Sequence, residues 1–443
     1  MKKHRWLVRI ALLGAMALVA AACAEEEEGP AVAPGAVDCA AVEFGCVEVG
    51  AGEPIKIAAE QTLTTPDAPL GNDQVNGLKL AIDYLDGALD GVPGQLLGHD
   101  VELIEADETC SAEGGTAAAT ELAADPNLVS VFGTTCTSAA LGTSDAILGA
   151  KGILLISGSN TNPNLTAEGV HNDFYLRTAH NDKIQGAIVA EYVYNELGAR
   201  TAATINDESP YADALAAVFR SVFESLGGEI TTFEAVQSTD TEFKPVLTSI
   251  AQGKPDVLYY PDFAQVCGLV TAQAREVAGL KDTILMGSDG CASADALELA
   301  GDALDGWYRS GPDTSAFKQG DFYQNEMLPA YLEQFGVEAP LSVFHAHIWD
   351  AFYIWKAALD QVAVQNDDGS LTIPRTALKD AVYATSGYQG LTGTITCTPL
   401  GDCATDVIIG IFLGPDWPEA NPDATPVYSD VKSLQEVSEA YGI

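Results

Sequence analysis

The sequence predicts an α/β protein built of two lobes, each a parallel sheet flanked by helices, and three observations carry that prediction. Short apolar runs alternate with helix-period stretches from residue 54 onward. One such series closes near residue 157, and a second begins past residue 178. Of the 443 residues, 47% are hydrophobic and 19% charged, enough for two or three cores and too apolar for a disordered, collagen-like or coiled-coil chain. Repeated β-α-β order implies parallel strands, right-handed crossovers and helices on both sheet faces.

The elements follow in order. Pro54-Ile55-Lys56-Ile57-Ala58-Ala59 reads as a strand. Val75, Leu78, Ile82, Leu85 and Leu89 then fall on one stripe of a 3.6-residue period, predicting a helix. Strand 100–106, helix 112–124, strand 129–133, helix 138–150 and strand 153–157 complete the first series. After residues 173–178 come helix 183–197, strand 201–206, helix 211–226, strand 229–236, helix 242–252, strand 256–260, helix 264–278 and strand 283–288. Strand 304–311 and helices near 319–335, 344–362 and 374–384 come next. Alternation at 391–397 and 405–413 predicts a β-hairpin stapled by cysteines. From Gly414 the tail is rich in Pro and Asp and reads as irregular up to a short helix near 430–441.

The N-terminus reads as an address. Lys2, Lys3, Arg5 and Arg9 precede the apolar run Ile10 to Ala22. That run is shorter than the ~20 residues a bilayer span needs and suits a cleaved signal peptide over 1–22. Its end, Val19-Ala20-Ala21-Ala22-Cys23, resembles a bacterial lipoprotein lipobox, although Leu is more usual where Ala20 stands. The resemblance implies cleavage before Cys23 and lipidation of that cysteine. Residues 23–52 are then expected to be the lipidated cysteine and a flexible acidic linker, since 24–37 is acidic and then Pro/Ala/Gly-rich. The expected location is extracytoplasmic, at the cell surface or in the periplasm.

Cysteine usage agrees. Nine cysteines less Cys23 leave an even number, as an oxidising compartment favours. These allow about a hundred pairings; proximity in sequence suggests Cys39–Cys46, Cys110–Cys136, Cys267–Cys291 and Cys397–Cys403. No C-x-x-C occurs, so zinc-ribbon and thioredoxin-like sites lack support.

Function classes narrow further. With 21 basic and 63 acidic residues the net charge is −42, which repels nucleic acid and anionic lipid headgroups. Membrane contact is expected through the lipid anchor alone. The G-x-S-x-G, H-E-x-x-H and G-x-x-x-x-G-K-[ST] signatures are absent, as is a G-x-G-x-x-G after the first strand. His345 and His347 open an apolar helical stretch, where i and i+2 face different ways, so they favour packing over a shared metal. No catalytic residue, metal or cofactor is expected, and the chain is not read as an enzyme.

Specific runs then carry a resemblance. Asp107-Glu108-Thr109-Cys110, Val131-Phe132-Gly133-Thr134-Thr135-Cys136-Thr137-Ser138 and the run Gly152 to Thr166 stand in the first series. Asn206-Asp207-Glu208-Ser209-Pro210-Tyr211-Ala212, Val257-Leu258-Tyr259-Tyr260 and Leu285-Met286-Gly287-Ser288-Asp289-Gly290 stand in the second. In order and spacing, over roughly 53–413, the set resembles the branched-chain amino-acid (Leu/Ile/Val) binding proteins of ABC importers. The resemblance implies a type I periplasmic binding protein: two Rossmann-like lobes joined by three crossovers, near Arg177–Asn181, Trp307–Pro312 and Ser386–Gly393. The N-terminal lobe is then 53–178 plus 313–386, and the C-terminal lobe 179–312 plus 387–443.

A buried amino-acid zwitterion needs partners for both charges. The resemblance places Thr137, Ser159 and Thr161 on its carboxylate and amine, with Thr137 at a helix start that favours an anion. Asp289, where the family usually has Glu, becomes the ammonium partner, and Tyr211 the cleft tyrosine. Phe263 falls near another aromatic position, and Leu70 stands where relatives often carry an aromatic over the substrate side chain. The same residues also suit helix caps, turns and packing. The implied function is a lipid-anchored solute-binding component of an ABC importer that delivers an amino acid, branched-chain or similar, to the permease. The alternative is a surface sensor, or a binding protein for another small solute such as an amide or urea-like compound.

Overall fold

The computed structural model describes residues 37–404, 408–414 and 424–443. The expected signal peptide and Cys23 lie outside the described residues. In the first lobe five strands run in the order Val101–Asp107, Ile55–Gln61, Leu128–Gly133, Leu154–Ser157 and Tyr175–Arg177, all parallel. The second lobe holds seven: Tyr428–Val431, Ile408–Leu413, Trp307–Pro312, Ile284–Gly287, Val257–Tyr259, Thr201–Asn206 and Glu229–Ala235. The first two of these are antiparallel to their neighbours and the other five parallel.

Period-two alternation explains how each sheet feeds two cores. In the first lobe Ile57, Ala59, Phe132 and Ile156 face Phe352 and Trp355 of helix His345–Val362. Ala58, Val131 and Leu155 face Ala119 and Leu148 on the other side. In the second lobe Val257, Tyr259 and Met286 join one cluster, and Leu258 and Leu285 the other. Strands buried on both faces must be nearly all apolar, which is why they stand out in the sequence.

Buried polar groups fix how the helices meet. Helix Ala68–Asp83 presents Asp73, fully buried, to the start of helix His345–Val362. Its carboxylate accepts the Phe344 and His345 amides at 2.9 and 2.7 Å, His345 Nδ1 at 3.1 Å and the Tyr331 hydroxyl at 2.8 Å. That satisfies orphan N–H groups the incoming helix cannot satisfy itself. His345 thus serves packing and capping, as its place on an apolar helix suggested.

Several expectations need correction. The helix expected at 138–150 is two short pieces, Thr137–Ala139 and Asp145–Gly149, because Leu141 and Gly142 leave helical geometry, Gly142 with φ of +73°. The first helix ends at Asp83, so Leu85 and Leu89 lie past it. The hairpin of 391–397 with 405–413 does not form. Thr394–Ile395 pairs with Tyr388–Gln389, and Ile408–Leu413 inserts between Trp307–Pro312 and Tyr428–Val431. Ile409, Ile411 and Phe412 are apolar on both faces, which suits an interior strand better than a two-stranded ribbon. The tail, expected to be irregular before its helix, supplies strand Tyr428–Val431 and helix Leu434–Tyr441 with a Ser433/Glu436 capping box. Ordered structure begins before residue 52: Cys46–Val49 pairs with Leu371–Pro374 and buries Val47 and Val49.

All four sequence-proximal cysteine pairs are bonded, with Cα–Cα distances of 3.8–5.8 Å. The chain passes between lobes after Arg177, after Pro312 and after Cys403. Trp307–Pro312 is itself a sheet strand, so that crossing follows it, and the third lies beyond 386–393 because Ile395 and Cys403 belong to the first core. The buried Arg177 ties the first crossing to the third: Nε meets Asp402 Oδ1 at 2.7 Å, and its amide and carbonyl bond Gly401 and Cys403.

Asp73→Ala should cost about 3–5 kcal/mol, because buried donors lose their acceptor. Urea unfolding is the measurement; a loss under about 1 kcal/mol contradicts this capping role.

Candidate functional site

Loops at the C-terminal edges of both sheets face each other, where open parallel sheets place ligands. They enclose a cavity of about 20 Å³ lined by Leu70, Thr135, Thr137, Ser159, Tyr211, Phe263, Asp289, Gly290 and Phe344. The structure therefore brings together every sequence-predicted residue except Thr161. Thr161 is buried beside the cavity, where its carbonyl accepts the Asp182 amide at 2.9 Å. A cavity this size holds about one water, so an amino acid enters only when the lobes part or side chains move. The lobes touch across it: Asn162 Nδ2 donates to the Pro210 carbonyl at 2.6 Å.

The second-lobe wall is acidic. Asp289 is 3% exposed, and its Oδ1 accepts Gln185 Nε2 and the Tyr211 hydroxyl, both at 2.8 Å. Tyr211 is in turn placed by Ser288 Oγ at 2.7 Å and accepts the Gly290 amide at 3.2 Å. Gly290 has to be small: a Cβ there would lie 2.6 Å from the Asp262 carbonyl and 3.0 Å from the Tyr211 ring. Behind Asp289 stands Asp182, the first residue of helix Asp182–Glu191 and fully buried. Neither of its oxygens completes a well-formed hydrogen bond, although the Thr161 hydroxyl lies near. Burial first, and then the charge of Asp289, push the Asp182 carboxyl well above the usual carboxylate range. The same two causes, in the same order, push the Tyr211 and Tyr259 hydroxyls up.

The first-lobe wall carries hydroxyls. Ser159 Oγ donates to the Thr135 carbonyl and receives Gln74 Nε2, each at 3.0 Å. Thr135 Oγ1 donates to Gln61 Oε1 at 2.6 Å and accepts the Thr62 amide at 3.1 Å. Thr137 opens a helix of three residues. The long helix dipole expected behind it is therefore missing, and an anion here would rely on hydroxyls and nearby amides. Leu70, Val343 and Phe344 meet Ala292 and Phe263 in an apolar cluster drawn from both lobes. Phe263 also lies against Tyr211, with ring centroids 5.1 Å apart.

Sequence reasoning missed Asp182, Gln185, Thr135, Gly290 and Phe344. Asn181-Asp182 reads locally as a helix start, and Asn181 indeed caps it. Nothing in local spacing shows that Asp182 and Gln185 turn toward a loop more than a hundred residues away. A larger groove of about 710 Å³, lined by Arg275, Lys281, Asp282 and Asp302, contains no residue singled out from the sequence.

The model of the family described as periplasmic binding protein matches residues 54–402. The chain belongs to that family. Its fold is the type I periplasmic binding protein fold, and membership implies a solute-binding role outside the cytoplasm. The leucine-, isoleucine-, valine-, threonine- and alanine-binding protein of Pseudomonas aeruginosa is 28% identical over 269 residues, 61% of this chain and 69% of that protein. The leucine binding protein LivK of Thermotoga maritima superposes with a TM-score of 0.70 at 20% identity, over 86% of this chain and 98% of that one. A solute binding protein of R. palustris in complex with benzoate gives 0.71 at 18%, over 86% and 97%. Among the described residues no helix is long and apolar enough to cross a membrane.

Asp182→Asn should raise the melting temperature of the ligand-free protein at pH 8 by about 3 °C. A carboxyl whose pKa is raised on folding weakens the fold progressively as pH climbs from its unfolded value through the raised one, and the amide removes that penalty. An unchanged or lowered melting temperature contradicts this electrostatic account.

Proposed function

We propose that the protein captures an amino acid with an apolar side chain, branched-chain or similar, between its lobes and delivers it to an ABC permease. The observation that carries this reading is the pairing of opposed walls across one cavity: the carboxylate of Asp289 on one, and the Thr137, Ser159 and Thr135 loops on the other. An ammonium group would meet Asp289, with Asp182 as a second acidic group behind it. The amino-acid carboxylate would meet Thr137 and the neighbouring amides, and Thr161 would act through Asp182. The side chain would lie among Leu70, Phe263 and Phe344, with Tyr211 closing over the backbone. The Pseudomonas relative, named for binding leucine, isoleucine, valine, threonine and alanine, supports a small amino acid as this class of ligand. Because Leu70 offers no ring, the side-chain end is shaped by Phe344 and Phe263. In this reading Cys23 carries the lipid anchor, and the captured solute undergoes no covalent change.

The benzoate complex of a fold relative favours a second reading, a small solute without an ammonium group. Calorimetry separates the two. Asp289→Asn should weaken amino-acid binding by about 2–5 kcal/mol, because a desolvated ammonium loses its charged partner. Affinity unchanged in that variant would refute the assignment, and benzoate-like acids binding in place of amino acids would establish the second reading.

A further inference from the structure

His180 has no part in the cleft chemistry above and does not line the cavity, yet it is fully buried beside it. Asn181 caps helix Asp182–Glu191, so His180 is the residue before the cap and Gln185 the fourth of the helix. Apolar side chains at those two positions commonly staple a chain to the start of its helix. Here the pair is polar instead: His180 Nε2 lies 2.5 Å from Gln185 Oε1. Among the described residues no other side chain donates to that oxygen.

The direction of the bond follows from what lies beyond it. A carboxylate only accepts, so the end of Gln185 that faces Asp289 has to be its amide nitrogen. That nitrogen is 2.8 Å from Asp289 Oδ1 and 3.0 Å from Ser310 Oγ. The carbonyl oxygen is thereby turned to His180, and because a carbonyl accepts too, Nε2 carries the ring proton. The other ring nitrogen, Nδ1, is buried without a partner. A proton moved there would go unpaired and would leave Nε2 opposing a carbonyl, two losses in one dry space. Burial also holds the imidazole below its ordinary pKa, which favours the neutral ring.

The first lobe sets where the ring stands. Two residues before it, Thr178 donates its amide to the Ser157 carbonyl at 2.9 Å and its hydroxyl to the His347 carbonyl at 2.7 Å. Two residues after it, Asp182 donates its amide to the Thr161 carbonyl at 2.9 Å. Gln185 and Ser310 stand in the second lobe, on a helix packed into its core and on its strand Trp307–Pro312. We propose that His180 is a positioning residue: by donating to Gln185 Oε1 it holds that amide the right way round for Asp289, so that the first lobe orients the ammonium-binding carboxylate of the second. This rests on the amino-acid reading of the cleft. Without the His180 donor the amide is free to turn its carbonyl toward Asp289, which then keeps the Tyr211 hydroxyl, loses the Gln185 donor and faces a second oxygen.

Calorimetry with leucine tests the coupling. His180→Leu, close in size and without a donor, should weaken leucine binding about tenfold, the order of one hydrogen bond. His180→Gln carries an amide N–H where the ring has Nε2–H and should recover most of that loss; no recovery overturns the donor role. In an Asp289→Asn background the partner is itself an amide that pairs either way round, so His180→Leu should change affinity by less than about twofold. An equal cost in both backgrounds overturns the route through Asp289, because a merely structural residue would cost the same in each. A further arm needs no ligand. Nitrogen NMR of isotope-labelled histidine in the natural protein at pH 7 should show the His180 ring, identified by its loss in His180→Gln, neutral and protonated on Nε2. A proton on Nδ1, or on both nitrogens, overturns the proposal. If leucine fails to bind the natural protein, the amino-acid reading falls, while the NMR arm still decides whether His180 donates to Gln185.

Discussion

Asp289 is held by two neutral donors, Gln185 and Tyr211, inside a cavity walled by both lobes, and among the described residues no lysine or arginine lines that cavity. Gln185 in turn spans three elements, since Nε2 also reaches Ser310 Oγ at 3.0 Å and Oε1 meets His180 Nε2 at 2.5 Å. The residues that hold the carboxylate therefore sit beside two of the crossings between lobes. A second carboxylate, Asp182, lies in the same dry space. Negative charge concentrated where water is excluded weakens the fold, and a cationic group arriving from solution relieves it. Stability given up at one site in this way is a common cost of binding.

The crossings give that charge mechanical consequence. Arg177 reaches Asp402 through Nε, the Asn160 and Asn162 carbonyls through Nη1, and Thr166 Oγ1 through Nη2. One guanidinium thus holds the end of the first lobe's last strand, the loop after Ser157 and the approach to the third crossing. Its planar fork suits simultaneous contacts that a lysine could not make. These contacts fix the first and third crossings to each other and to the loops on either side.

Much of this was legible in the sequence. Strands such as Leu128–Gly133 and Leu154–Ser157 declared themselves because a parallel sheet covered on both faces needs mostly apolar runs. Six predicted site residues line one cavity, in the loops and helix starts to which the family resemblance assigned them. The failures have particular causes. Gly142 breaks a helix whose apolar period continues through it. Strand Ile408–Leu413 is apolar on both faces, which suits a sheet interior, but its sequence does not name its partners, and the distant Trp307–Pro312 decides. Asp182 and Gln185 look like an ordinary helix start, since their orientation depends on how two lobes meet. The buried Glu60 and Glu108 gave no local signal, because an acidic residue in a strand reads equally well as solvent-facing.

The central claim, that both charges of a zwitterion are recognised across the cleft, is tested by calorimetry with three matched ligands. These are leucine, its decarboxylated amine 3-methylbutylamine and its deaminated acid 4-methylpentanoate. Leucine is expected to bind at least about 100-fold more tightly than either, since each truncated ligand leaves a polar wall unpaired. Equal affinity for leucine and 4-methylpentanoate would contradict the account, because it would mean that the acidic wall receives nothing.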